Sequence, residues 1–304
     1  MLKKFRIRKN GFLNKDIQSY YSRDYLGYGN EGNPDFISHL KNQFGTTEKS
    51  IIQNAKYELV EILCKDLPKI REFYNTDLSI CVVPRAKAEN YYSDNQMVFR
   101  RAISEIVGSL NGFEDCTKFI VRQINTRTTH MDRSGHGGDG DMPYIGITNV
   151  TCNISNDING RNILLIDDIY TKGVNVDEDA IQALLDRGAN SVIFYAVGRT
   201  ILRKTALLKP CVQKTLSALD NESDLNIIAH MVGVKKRTII DHISDIVLIL
   251  GKDEVMHIKP PHSTIRAVEN AVMKVGDERL KPIFEELNGE ISYDDIRISL
   301  MFIN

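Results

Sequence analysis

The sequence predicts an α/β protein, a mostly parallel β-sheet covered by helices on both faces, followed by a small all-α domain. Three observations carry this. The runs LSICVVP (78–84), ILLI (163–166) and SVIFYAV (191–197) are apolar at nearly every position, as strands buried on both faces are. Segments of helical periodicity alternate with them, which is the pattern of a layered parallel sheet. Finally, LNIIAHMVGVKKRTIIDHISDIVLIL (225–250) reads as two helices joined by a tight turn. A chain of 304 residues has room for one large core and a second, smaller one.

Taken in order, the first 75 residues read as irregular. They are tyrosine-rich from Tyr20 to Tyr28, Gly/Asn-rich as far as Pro34, and helical in pattern only from about 48 to 66. Strand 78–84 ends at a proline, and Met97, Val98, Ala102, Ile106 and Leu110 then fall near helical spacing. KFIVRQI, from Lys118, is another strand. Residues 125–144 have few apolar anchors and a Gly-rich run at 135–140, which predicts a long mobile loop. That run has no strand-turn-helix context, so it is no nucleotide fingerprint. Strands 163–166 and 191–197 flank a helix over 176–187, with Asn175 as N-cap and Glu178 at capping-box spacing. Near the C-terminus, Leu225, Ile228 and Ala229 are expected to pack on Ile239, Ile243 and Val247 across a turn at Val232, Gly233 and Val234. A further helix stops at Gly289, and the last one is capped by Ser292 with Asp295 at its third position.

Composition excludes several classes. With 39 basic and 40 acidic residues the chain is no polycation, so a nucleic-acid site has to be a local patch. Cys64, Cys81, Cys116, Cys152 and Cys211 are odd in number and form no CxxC, which reads as free thiols in a reducing compartment. No apolar run approaches the roughly 18 residues of a membrane span, and no signal peptide follows the basic N-terminus. A cytoplasmic location is the expectation. His130, Asp132, His136 and Asp139 are irregularly spaced and read as polar loop residues, so no metal site is assigned.

The segment NILLIDDIYTKGVNVDE (162–178) concentrates the chemistry. Four apolar residues lead directly into Asp167 and Asp168, where burying charge is costly. In a parallel sheet this is also where ligands bind, at the carboxyl ends of the strands near a switch in strand order. The loop after them, Thr171, Lys172, Gly173, Val174 and Asn175, opens a helix whose positive end suits an anion. Carboxylates beside an anion cradle repel a bare phosphate, but they accept hydrogen bonds from vicinal hydroxyls next to a phosphate. Ribose 5-phosphate has both groups.

This stretch resembles the phosphoribosyl-diphosphate (PRPP) signature of type I phosphoribosyltransferases. With VVPRAK before it and RTTHMDRSG between, the region 78–200 is most similar to the ComF-like branch. The resemblance implies a type I phosphoribosyltransferase fold with an N-terminal hood over 1–77 and the transferase-like domain over 78–205. It assigns Asp167 and Asp168 to the ribose hydroxyls as the catalytic pair, and residues 171–175 to the 5-phosphate. Arg85, Ala86 and Lys87, after Pro84, would face pyrophosphate, and a lid carrying Arg127, His130 and Arg133 would close over the sugar. Mg2+ bound through PRPP is implied as cofactor. Lys172 and Asn175 stand where the family usually has small hydroxyl residues.

From about 210 to 304, IAHMVGVKKRTIIDHI and LKPIFEELNGEISYDDIRISL resemble the helix-turn-helix domain that ends some RecQ-family helicases. Lys235, Lys236, Arg237 and Thr238 begin the second helix, where such a helix meets DNA, mainly its phosphates. The same surface would also suit a docking partner or a second copy of the chain. Two function classes follow: a PRPP-dependent transferase coupled to DNA or a nucleoprotein partner, and a non-catalytic regulator that senses PRPP or a nucleotide. An effector of a bacterial defence cassette such as a retron is a third, narrower possibility.

Overall fold

The structure, a computed structural model, describes residues 1–126 and 146–303. The chain divides into two compact units, Met1–Ile201 and Leu202–Asn304. The expected long loop at 125–144 lies almost wholly outside the described residues.

The first unit is built on a six-stranded sheet. In chain order its strands are β1 (Lys3–Ile7), β2 (Ile17–Tyr25), β3 (Leu78–Val82), β4 (Phe113–Asp115), β7 (Asn162–Tyr170) and β8 (Ser191–Thr200). Their spatial order is β1-β2-β8-β7-β3-β4, parallel throughout except for the β1–β2 pair. Two short strands, β5 (Ile120–Arg122) and β6 (Cys152–Ile154), pair antiparallel in a separate ribbon. Around the sheet run α1 (Phe36–Lys41), α2 (Lys49–Tyr74), α3 (Val98–Val107) and α4 (Val176–Asp186).

Both faces of the sheet are covered, as the unbroken apolar strands require. Along β7, Ile163 and Leu165 enter one core while Leu164 and Ile166 enter the other. Along β8, Val192, Phe194 and Ala196 alternate in the same way with Ile193, Tyr195 and Val197. Ala180, Ile181 and Leu184 of α4 close the first core. Leu59, Leu63 and Leu67 of α2 close the second, together with Ala102, Ile103 and Ile106 of α3.

The N-terminal 75 residues are not irregular, contrary to the expectation from sequence. β1 and β2 extend the sheet through parallel pairing of β2 with β8, for example Tyr20 with Tyr195. Their tyrosines are strand residues with alternating faces: Tyr20 and Tyr21 are both buried, one in each core. The helix read as ending near 66 continues as α2 to Tyr74, through Pro68. Packing of Leu67 and Ile70 against the sheet outweighs the backbone bond that proline cannot make.

The second unit is helical: α5 (Pro210–Leu219), α6 (Leu225–Val232), α7 (Lys236–Leu250), α8 (His262–Val275), α9 (Leu280–Glu286) and α10 (Tyr293–Leu300). Leu225, Ile228 and Ala229 share a core with Ile239 and Ile243, with Val247 packed on it, as their spacing predicts. Among the described residues, no helix is long and apolar enough to cross a membrane.

One polar contact ties the second core together. The Tyr195 hydroxyl on β8 donates to Asp66 Oδ2 on α2 at 3.1 Å, and both residues are buried. Tyr195→Phe keeps the ring but strands the carboxyl, so chemical denaturation should show a loss of about 1–3 kcal/mol.

Candidate functional site

Strand order reverses around β7. From β3 the chain passes through α3 to β4 on one side, and from β7 through α4 to β8 on the other. β3 ends at Val82, opposite Ile166, whereas β7 continues beside β8 to Tyr170. A crevice therefore opens at the carboxyl ends of β3 and β7, where such a switch places a ligand site. It holds a cavity of about 520 Å3, lined by Asp167, Asp168, Thr171, Val174, Asp177, Arg85, Ala86, Lys87, Lys41 and Arg122.

The acidic pair belongs to β7 itself and is half-buried in this cavity, instead of capping a solvated strand end. The Asp168 backbone N–H donates to Asp167 Oδ1 at 2.8 Å. Lys41, the last residue of α1, approaches both oxygens of Asp168, at 3.3 Å and 3.2 Å. α1 packs against the end of β8, where a Cβ at Gly198 would come within 2.9 Å of Ile37 Cδ1.

The phosphate-loop candidates are only partly gathered at the cavity. Thr171 and Val174 line it, while Lys172 and Gly173 are exposed. Thr171 Oγ1 and Thr200 Oγ1 share a hydrogen bond of 2.7 Å, and the Val174 N–H donates to the Thr171 carbonyl at 3.2 Å. Gly173 and Asn175 both lie in the left-handed region, at φ +82° and +65°. Asn175 is thus not the side-chain cap that its spacing suggests. Its Nδ2 donates to the Gly173 carbonyl at 3.3 Å, and no cap bond reaches α4. Nor does Glu178 complete a capping box, because it accepts from the Tyr170 hydroxyl at 3.0 Å. The left-handed turn that closes the loop consumes the geometry an N-cap needs.

Arg85 points at protein groups. Its Nη1 donates to the Lys41 carbonyl at 2.5 Å and the Gln96 carbonyl at 2.9 Å, and its guanidinium lies 4.2 Å from the Tyr92 ring centre. Arg85 therefore anchors the end of α1. Ala86 accepts from the Thr126 N–H at 2.8 Å, and the Lys87 N–H donates to the Tyr92 hydroxyl at 3.0 Å. Arg127, His130 and Arg133 lie outside the described residues.

Carboxyls crowd the floor of the cavity. Burial and the neighbouring Asp168 push the Asp167 carboxyl up to about 7, against the pull of Lys41 and of hydrogen bonds from Asp177 and the Asp168 N–H. Asp177, at the start of α4, is raised by burial and by Asp167 and Glu178. Asp167 and Asp177 act on each other across the cavity, and both carboxyls hold their protons more tightly than ordinary ones. Burial also raises Glu178, and burial with Glu178 raises Asp179 to about 6 despite Arg122. For Lys41, burial lowers the ammonium but Asp168 and Asp167 outweigh it, leaving its value above the ordinary one. Lys41 and Asp177 are site residues that the sequence does not reveal. Lys41 sits in FISHLKNQF, where no local pattern marks it, and only the fold brings it to Asp168.

In the second unit, Asp224 caps α6 by accepting from the N–H groups of Asn226 and Ile227, at 2.7 Å and 3.4 Å. Gly233, at φ +78°, ends the helix, and the Val234 N–H returns to the Ala229 carbonyl at 3.0 Å. This turn presents the start of α7. Lys235 and Arg237 are exposed there, while Lys236 and Thr238 are half-buried. Lys236 lies 3.1 Å from Asp294, and Arg237 is 3.4 Å from Asp241. Thr215 and His242 Nδ1 share a buried hydrogen bond of 2.7 Å that ties α5 to α7.

Residues 211–300 match the family of a helix-turn-helix domain. No curated protein matches the chain.

The buried carboxyls make stability depend on pH. A carboxyl that holds its proton more tightly folded than unfolded contributes stability that is fully present below about pH 4 and is lost as pH rises through its folded value. With Asp167 at about 7 and Asp179 at about 6, the first unit should become less stable between about pH 4 and 7. Denaturation midpoints measured across that window should fall, and Asp177→Asn should flatten the profile. A midpoint that rises with pH there contradicts the raised carboxyls.

Proposed function

We propose that the first unit binds PRPP and transfers its phosphoribosyl group, while the helix-turn-helix unit delivers that activity to DNA or a nucleoprotein partner. The observation that carries this is the meeting, at one strand-order switch, of the Asp167–Asp168 pair with a left-handed Thr/Gly loop that opens a helix. Around them is a cavity of about 520 Å3, within the range that encloses a small ligand.

In this reading Asp168 accepts hydrogen bonds from the ribose hydroxyls, and Asp167, whose carboxyl is raised to about 7, can donate as well as accept. Residues 171–175 hold the 5-phosphate at the positive end of α4. The loop at 85–87 faces the pyrophosphate, which leaves as positive charge develops at C1 of the sugar. Positioning and exclusion of water supply most of the protein's part. The family resemblance implies Mg2+ carried on the pyrophosphate, where it would neutralise the leaving group. Among the described residues no three His, Cys, Asp or Glu side chains converge as a metal site.

A sensor reading is favoured by one observation. Lys41 and Arg85 are already engaged, with Asp168 and with two carbonyls and a ring, so these two cations are paired before any ligand arrives. Incubating the chain with PRPP, Mg2+ and a nucleotide extract separates the readings. Pyrophosphate release followed by mass spectrometry supports transfer, and binding without release supports sensing.

Replacing Asp167 and Asp168 together by Asn should abolish PRPP binding in calorimetry while the thermal transition persists; unchanged affinity removes the site assignment. For the second unit, alanine at Lys235, Lys236 and Arg237 should weaken DNA binding across sequences. The slope of log affinity against log salt should drop by roughly one for each phosphate that is no longer neutralised. An unchanged slope would point to a protein partner at this surface.

A further inference from the structure

The Lys41 ammonium occupies both oxygens of Asp168, the atoms that a sugar diol would need. The two side chains are 25% and 15% exposed, so salt screens the pair little and the ammonium cannot simply retreat into bulk water. Any ligand whose hydroxyls take Asp168 must therefore offer Lys41 another anion nearby, or leave a half-buried cation without a partner.

Arg85 ties the backbone of Lys41 to the loop that the proposed function assigns to pyrophosphate. Its guanidinium grips the Lys41 carbonyl and the Gln96 carbonyl, which holds the end of α1 against the loop that follows β3. The Gln96 side chain adds donations to the carbonyls of Asn42 and Gln43, at 3.2 Å and 3.3 Å. The end of α1 is thus tied to the 85–87 loop, while the ammonium rests on Asp168. With the 5-phosphate at residues 171–175 and the pyrophosphate at the 85–87 loop, as proposed, the anion of the ligand that lies toward α1 is the one attached at C1.

We infer that Lys41 is a specificity-determining residue of this site, exchanging Asp168 for the pyrophosphate at C1 and so selecting a C1-diphosphorylated sugar over the same sugar without it. This deepens the proposed function and rests on it. Arg85 then acts as a positioning residue for Lys41 and does not itself touch the ligand. Exchange of one ion pair for another leaves the cation count of the pocket unchanged on binding. Ribose 5-phosphate lacks the second anion and must break the pair without replacing it.

The test titrates the full chain, Lys41→Met and Lys41→Arg with PRPP and with ribose 5-phosphate by calorimetry, at one Mg2+ concentration. Thermal melts of each variant establish folding. The unaltered chain should prefer PRPP. Lys41→Met should lose roughly tenfold or more in PRPP affinity, the scale of one charge-assisted hydrogen bond. Its affinity for ribose 5-phosphate should stay level or rise, since no pair need be broken. Lys41→Arg should restore most of the PRPP preference. Equal losses for both ligands, or none, in a folded Lys41→Met variant overturn the inference alone. Failure of the unaltered chain to bind either ligand overturns the proposed function and the inference with it.

Discussion

Two adjacent carboxyls at the end of a doubly buried strand are the constraint around which the first unit is arranged. β7 is fully buried from Ile163 to Ile166 and only half-buried at Asp167 and Asp168. Charge is tolerated there only with compensation. The fold provides two kinds. Asp168 receives the Lys41 ammonium, and Asp167 accepts the Asp168 N–H while burial and Asp168 raise its carboxyl to about 7. Such unequal surroundings are how neighbouring acids in a confined space come to have different roles.

Much else follows from satisfying that pair. Lys41 must reach it, so α1 has to lie over the sheet end, and Gly198 leaves room for Ile37 there. Arg85, at the cavity wall, holds α1 in place through the Lys41 and Gln96 carbonyls. Arg122, buried on β5, donates to the Arg85 carbonyl at 3.2 Å and to the Gly146 carbonyl at 3.2 Å, bracing the same loop from the other side. The cavity walls are thus a chain of cations bonded to main-chain carbonyls. Such walls are rigid in a way that exposed ion pairs are not.

What is legible in the sequence divides along the range of the interactions. The strands at 78–84, 163–166 and 191–197 announce themselves because both of their faces are apolar, and the helix-turn-helix does so through local spacing with Gly233 at the turn. β1 and β2 do not, because Lys, Arg, Ser and Gln alternate with their core residues, and their place in the sheet depends on pairing with β8, some 170 residues away. Asn175 misleads because the spacing to Glu178 is that of a capping box, while its left-handed backbone, forced by the turn through Gly173, is visible only in three dimensions. Lys41 carries no signal at all, since a lysine at the end of a short helix reads as a solvated surface charge.

The helix-turn-helix unit poses the opposite electrostatic case. Its basic residues lie at an exposed helix start, and Lys236 and Arg237 are met by Asp294 and Asp241, with Arg297 of α10 also 3.9 Å from Asp241. Exposed pairs of this kind contribute on the order of 1 kcal/mol or less, because water and salt compete for both partners. A phosphate backbone presents a dense line of charge and gains entropy by releasing counterions, so it can displace such acids at little cost. Lys236 and Arg237 are thus paired weakly enough to give up their acids to a partner of higher charge density. The carboxyl-lined cavity of the first unit is the contrary case: its lysine is held by Asp168 away from bulk water, and under the proposed function a small ligand enters by replacing that ion pair with another.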